Sequence, residues 1–313
     1  MQDWSPFQSV IDERLSDREI RLWMKRDDLL GGPASGNKIR KLKYQLHQAK
    51  KLNVRTLVTF GGAYSNHLFA VAGLGQALSM HTVGYVRSSS IPKNKTTNQL
   101  RKWGMKLIPL DRELYRRKED VLFLRDLQEQ HLNSYLIPEG GSSQLAMPGI
   151  QEMVREIREQ CPTQIDYYVC PFGTGATMAG IAAELRNDEK VLGCMVLKGL
   201  KPKEMIRRFL PAESLAKTCL FVDAHYGGFA KCPAEVQSFI QVFYDVHGIC
   251  LDPLYTGKMM KHLFELIDLG RFPQGSVIVA IHTGGLQGTA GYNERFGTDL
   301  PIPKEILNLY EEN

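Results

Sequence analysis

A chain of 313 residues is at the upper edge of one domain, or long enough for two lobes, and its 43% hydrophobic content sets intrinsic disorder aside. A net charge of +5, from 39 basic against 34 acidic residues, is an ordinary solvated surface. It suits small anionic ligands better than nucleic acid, which calls for a concentrated basic face with aromatics.

The start, Met1-Gln-Asp-Trp-Ser-Pro6, lacks the basic and apolar segments of a signal peptide, and the longest apolar runs are strand-length. No membrane contact and a cytoplasmic location are therefore expected. Strand-length runs follow in order at Arg55–Phe60, Thr82–Val86, Lys106–Leu110 and Ser134–Ile137, then at Tyr167–Cys170, Val191–Val196, Leu220–Val222 and Ser276–Ile281. Between them the spacing predicts helices over Leu68–Leu78, Asn98–Trp103, Ile150–Ile157, Met178–Leu185 and Met259–Leu269. Strands alternating with helices imply parallel sheets covered on both faces. Eight or more strands are too many for one small doubly wound sheet, and the spacing is too irregular for an eightfold barrel. The predicted fold is therefore α/β, with two open, mostly parallel sheets flanked by helices and the site between two lobes.

Gly, Pro and Ser interrupt the pattern in the 29–36 region and at Pro138-Glu-Gly-Gly-Ser-Ser143. If both are crossings, residues 1–42 and 141–313 form the larger lobe and residues 43–140 a smaller inserted one.

The six cysteines, Cys161, Cys170, Cys194, Cys219, Cys232 and Cys250, form no CxxC pair, and a buried, reduced state is expected. No HExxH or GxSxG pattern occurs, so no metal site and no serine triad are expected. The clearest glycine-rich loop is Pro171-Phe-Gly-Thr-Gly-Ala-Thr177, between a strand and an apolar helix. Its free N–H groups and the Thr174 and Thr177 hydroxyls suit a phosphate monoester; a tight turn with a helix cap is the plainer alternative. It is neither a dinucleotide fingerprint, because Met178 stands at the third glycine position, nor a Walker loop. Three further polar turns lie at strand ends: Gly61-Gly-Ala-Tyr-Ser-Asn66, Asp252-Pro-Leu-Tyr-Thr-Gly-Lys258 and His282-Thr-Gly-Gly285. The first suits a carboxylate or a plain N-cap at Ser65 or Asn66, and Thr256 could simply cap the next helix. Four such turns resemble a ligand site in an open α/β protein. A phosphate loop without metal, dinucleotide or triad points to a phosphorylated cofactor, and pyridoxal 5'-phosphate (PLP) would add a lysine and a partner for its ring nitrogen.

With Gly36-Asn-Lys-Ile-Arg-Lys-Leu42 and Lys25-Arg-Asp-Asp28 added, the chain resembles, over nearly its whole length, the PLP enzyme family that holds 1-aminocyclopropane-1-carboxylate (ACC) deaminase and D-cysteine desulfhydrase. The resemblance implies fold type II, a small amino-acid substrate and a homodimer. Residue by residue, it implies Lys38 as the Schiff-base lysine, Ser65 near the substrate, and Asn66 toward the cofactor's phenolic oxygen. Gly173, Thr174, Gly175, Ala176 and Thr177 match the phosphate loop, and Tyr255 an active-site tyrosine. Tyr226 matches a second tyrosine in the altered context His225-Tyr-Gly-Gly228. Lys41, three positions after Lys38, is a candidate phosphate contact or a surface residue. Thr256 stands where ACC deaminases carry a glutamate facing the pyridine nitrogen and D-cysteine desulfhydrases a threonine. A neutral hydroxyl makes a shallower electron sink than a carboxylate, which favours β-elimination to pyruvate, ammonia and sulfide over opening of the cyclopropane ring. ACC deamination, giving 2-oxobutanoate and ammonia, is the alternative in the same family. A non-catalytic binder of a phosphorylated ligand is the alternative from another class, and the presence of Lys38 speaks against it.

Overall fold

The computed structural model describes residues 4–32, 36–186, 188–211, 218–228 and 230–311. Part of the predicted 29–36 crossing, residues 33–35, lies outside them. Ten strands are formed: β1 (Phe7–Val10), β2 (Arg21–Arg26), β3 (Thr56–Gly61), β4 (His81–Arg87), β5 (Met105–Leu110), β6 (Ser134–Leu136), β7 (Tyr167–Phe172), β8 (Lys190–Met195), β9 (Cys219–Asp223) and β10 (Val277–His282). They make a six-stranded sheet, β1-β2-β10-β7-β8-β9, and a four-stranded sheet, β5-β4-β3-β6. Only the β1–β2 pair is antiparallel; every other pairing is parallel. The predicted class, two mostly parallel sheets flanked by helices, is the observed one.

Alternation along β10 shows why both faces of the larger sheet need cover. Ile278 and Ala280 join a core with Ile240 and Phe243 of the helix Ala234–His247 and with Leu263 and Phe264 of the helix Thr256–Asp268. Val277, Val279 and Ile281 face the opposite way, onto Ile150 and Val154 of the helix Met147–Gln160 and onto Met178 and Ile181 of the helix Ala176–Ala182. A side chain of this kind contributes about 1.5–3 kcal/mol when fully buried. In the smaller sheet, Leu57 faces Leu42 and Leu46 of the helix Lys38–Lys51 and Leu68 of the helix Asn66–Ala77, while Val58 and Phe60 face Phe123 and Leu127.

β1 and β2 escape the sequence pattern. Half of β2 is charged or flanked by charge, yet Lys25 is fully buried and Arg26 nearly so. Lys25 is met by Glu156, a distant partner that no local pattern reveals, and Arg26 by Asp28, two residues further along the chain. No helix among the described residues is long and apolar enough to cross a membrane, and the six cysteines are free thiols.

Candidate active site

The strand-end turns named above converge on the start of the Lys38–Lys51 helix. Gly36 bridges Gly284 after β10, and the Asn37 N–H donates to Thr283 O at 3.1 Å. Only glycine fits at 36, because φ is +118° and a Cβ there would lie 2.9 Å from Thr283 O. The helix behind it is held close: a Cβ on Gly149 would fall 2.0 Å from Arg40 O. Lys38 is thus placed by backbone contacts on both sides.

Among the described residues, Lys38 Nζ has one hydrogen-bond neighbour, Asn37 Oδ1 at 3.5 Å. Burial lowers its pKa to about 8, opposed in part by the Asp252 carboxylate. Asn37 Nδ2 reaches Thr177 Oγ1 at 3.2 Å, which ties the lysine to the 173–177 loop. In that loop Gly175 adopts φ +89° and the helix Ala176–Ala182 starts directly after it. Lys41, 3% exposed, points its Nζ at Thr174 Oγ1 (3.4 Å) and Gly140 O (3.5 Å). No carboxylate pairs with it among the described residues, and burial, reinforced by Lys38, holds its pKa well below the ordinary lysine value. A buried cation beside a Gly/Thr loop, with only neutral oxygens around it, suits a phosphate anion and fits the phosphate of PLP.

Ser65 is the N-cap of the helix Asn66–Ala77; its Oγ accepts from the N–H groups of His67 and Leu68, both at 3.2 Å. Asn66 Oδ1 accepts from Gln287 Nε2 at 2.5 Å, and its amide packs against Gly285, where a Cβ would be 2.4 Å from Nδ2. His67 is buried and kept neutral: desolvation, then Lys38 and Lys41, push its pKa well below the usual value. Thr59 Oγ1 donates to Ile137 O at 2.8 Å, so at 2.8 Å it accepts from His67 Nε2–H. That leaves Nδ1 as a bare acceptor without a partner among the described residues.

The helix predicted from Met259 begins at Thr256, and Asp252 rather than Thr256 satisfies its first N–H groups. Asp252 Oδ1 accepts from the Leu254 and Tyr255 N–H groups (2.9 and 2.7 Å), and Oδ2 from the Thr256 N–H and hydroxyl (2.7 and 2.6 Å). The fully buried Thr256 Oγ1 also accepts from the Asp252 N–H at 2.9 Å. Tyr255 sits beside the phosphate loop, its ring 3.7 Å from where a Cβ on Gly173 would be. Burial, with Asp252 and Glu139, pushes its hydroxyl up to about 12.

Tyr226 is not brought into this group. Its hydroxyl donates to Glu265 Oε2 at 2.7 Å, on the outer helix, rather than to Lys38, Ser65 or the loop. Tyr226 has φ +45°, rare for a non-glycine residue, and Lys258 Nζ clamps its turn by donating to His225 O and Gly228 O, both at 2.9 Å. The residues that sequence reasoning passed over are Asn37, His67, Asp252 and Gln287. Asp252 had a signal: an Asp before Pro with a Thr four positions on is an Asx-turn pattern.

Fold and site together define an α/β enzyme of fold type II, with an anion cradle and an amine of lowered pKa between two parallel sheets. The family model described as pyridoxal-phosphate dependent enzyme matches residues 11–284. A putative 1-aminocyclopropane-1-carboxylate deaminase of Pyrococcus furiosus is 30% identical over 295 residues, covering 88% of this chain and 87% of that protein. A D-cysteine desulfhydrase of Salmonella paratyphi A is 31% identical over 305 residues, covering 90% and 92%. A crystal structure of an ACC deaminase homologue superposes with a TM-score of 0.80 at 28% identity, covering 98% of this chain and 94% of that one. The chain belongs to the PLP-dependent enzyme family, in the group that holds ACC deaminase and D-cysteine desulfhydrase, and its cofactor is pyridoxal 5'-phosphate.

Proposed function

We propose that this enzyme acts on a small amino acid by D-cysteine desulfhydrase-type β-elimination, giving pyruvate, ammonia and sulfide. The observation that carries the reading is Thr256: a neutral, fully buried hydroxyl whose proton is committed to Asp252 stands where ACC deaminases of the family carry a glutamate. PLP, when bound, supplies the electron withdrawal that acidifies the substrate α-carbon. Lys38, Lys41, Asn66, Gly173, Thr174, Gly175, Ala176, Thr177 and Thr256 would hold it, with Lys41 and the loop on its phosphate.

The chain's own groups divide the proton transfers between them. Ser65 and the turn to His67 bind the substrate carboxylate. Lys38 takes the α-proton at Nζ; with a pKa of about 8, roughly a tenth of this amine is free at pH 7. Tyr255 stays protonated below its pKa of about 12 and donates from Oη to the departing sulfur. Tyr226, held on Glu265, takes no part in these transfers. One water is consumed as pyruvate, ammonia and sulfide leave. The same reading extends to the family's homodimer, to a cytoplasmic location, and to the lobes 1–42 with 141–313 and 43–140; the strands of the smaller sheet all fall within 56–136.

The test is to assay sulfide release from D-cysteine and 2-oxobutanoate release from ACC side by side on the holoenzyme. Sulfide release well above ACC turnover is expected. Substantial ACC turnover with none on D-cysteine would overturn the role given to Thr256 and favour ACC deamination, the activity for which the Pyrococcus furiosus relative is named.

A further inference from the structure

Arg87, Arg112, Tyr115, Arg116, Lys118 and Glu139 line a concavity of about 340 Å³ that the reaction above does not use. Arg87 ends β4, Arg112 and Arg116 lie in the short helix Arg112–Arg116 after β5, and Glu139 follows β6. The concavity therefore lies beyond the carboxyl ends of three of the four strands of the smaller parallel sheet, β4, β5 and β6, where open α/β sheets hold their ligands. Its floor is the buried ring of Tyr115, set edge-on against Phe60 at 6.3 Å and 87°.

Four cationic side chains face one carboxylate here, and that carboxylate is already engaged. Glu139 Oε1 accepts from the Tyr115 hydroxyl at 2.6 Å, and Glu139 Oε2 is 3.4 Å from Lys118 Nζ. The Arg87 guanidinium lies 5.6 Å from the Tyr115 ring centroid and Lys118 Nζ 5.3 Å from it. Arg112 and Arg116, one helical turn apart, have no hydrogen bond or ion pair among the described residues. The two guanidinium forks of Arg112 and Arg116, unpaired among the described residues at a concave surface, match the bidentate geometry of phosphoryl and carboxylate groups.

We propose that this concavity is a binding site for a small multivalent anion, carrying phosphoryl or carboxylate groups. The site adjoins the catalytic cleft through one turn: the Glu139 charge acts on Tyr255, and the next residue offers its carbonyl to Lys41. An anion that draws Lys118 away from Glu139 alters the field on Tyr255.

The holoenzyme, whose phosphate cradle is filled, is titrated with inorganic pyrophosphate and, separately, with citrate by calorimetry. Saturable binding of one anion per chain is expected. It weakens at least about tenfold in Arg112→Gln/Arg116→Gln, the factor carried by one charge-assisted hydrogen bond. It is unchanged in Arg55→Gln/Lys106→Gln, which removes the same charge from two other exposed positions. A stronger response to pyrophosphate assigns a phosphoryl ligand and a stronger response to citrate a polycarboxylate; either supports the site. No binding to the native holoenzyme, or equal binding to the two double variants, overturns it. Both arginines are exposed and unpaired, so the variants keep the fold; a Arg112→Lys/Arg116→Lys form, which keeps charge but loses the forks, should bind with intermediate strength.

Discussion

The two sides of one helix treat buried positive charge in opposite ways. On one side of Lys38–Lys51, Arg40 donates to Asp27 at 2.8–3.0 Å and pairs with Glu156 at 2.8 Å, and Glu156 also takes Lys25 and the Ser5 N–H. One residue along, Lys41 is as deeply buried as Arg40 and has only two neutral oxygens at hydrogen-bond limits. Burial of an ion without a counter-charge is unfavourable, and on this helix it is left so on the side that faces the phosphate loop. Along Lys38–Lys51 the buried cation with carboxylates belongs to the architecture, and the one without them is set where the cofactor phosphate would bind.

That contrast can be broken in three ways. The largest effect is expected from Glu156→Leu, which strands Lys25 and leaves Arg40 with Asp27 alone, and should lower unfolding free energy by about 3–5 kcal/mol. Denaturant melts measure it, and a loss below 1 kcal/mol would show the network to be dispensable. Next, Lys41→Met removes one charge-assisted hydrogen bond to phosphate, worth about 1.5–3 kcal/mol. PLP affinity, followed by absorbance, should fall roughly ten- to hundredfold, while the apoprotein melts no lower than the native one. A destabilised apoprotein would place Lys41 with Arg40 instead.

The smallest effect is on pH. Because the folded pKa of Lys41 is depressed, the unfolded chain binds more protons at this position below the ordinary lysine value of 10.5. The native apoprotein is therefore penalised at neutral pH and relieved as pH rises. Buried thiols, raised by desolvation, pull the other way, so the readout is a difference. The stability advantage of Lys41→Met apoprotein should shrink as pH rises from 7 toward 10.5; a constant gap would contradict the depressed pKa.

Much of this was legible from residue order. The eight apolar runs became strands within one or two positions, because buried parallel strands are continuously apolar. The turns bearing Ser65 and Gly173 were visible as glycine and threonine punctuation at strand ends. The turn bearing Tyr255 was visible by the same punctuation but follows the helix Ala234–His247, not the expected strand. What stayed hidden depends on long-range partners. β2 reads as charged until Glu156 arrives from elsewhere in the fold to meet Lys25. Lys41 reads as either a phosphate contact or a surface residue until its surroundings prove to be buried and, among the described residues, to hold no carboxylate pair. The neutrality of His67 follows from burial beside Lys38 and Lys41, and its tautomer from Thr59 and Ile137, which only the folded chain sets beside it. Tyr226 matched a family position by order alone, whereas its direction is set by the Lys258 clamp and by Glu265.

The saturation of Asp252 bears on how such an enzyme changes its chemistry over generations. Both carboxylate oxygens are occupied, one by the Thr256 hydroxyl at 2.6 Å. A glutamate arriving at 256 would lose that bond and set a second anion against the first within a buried turn. One substitution toward the carboxylate-bearing arrangement therefore destabilises the buried turn on its own, and Asp252→Asn beside it removes the repulsion between the two anions.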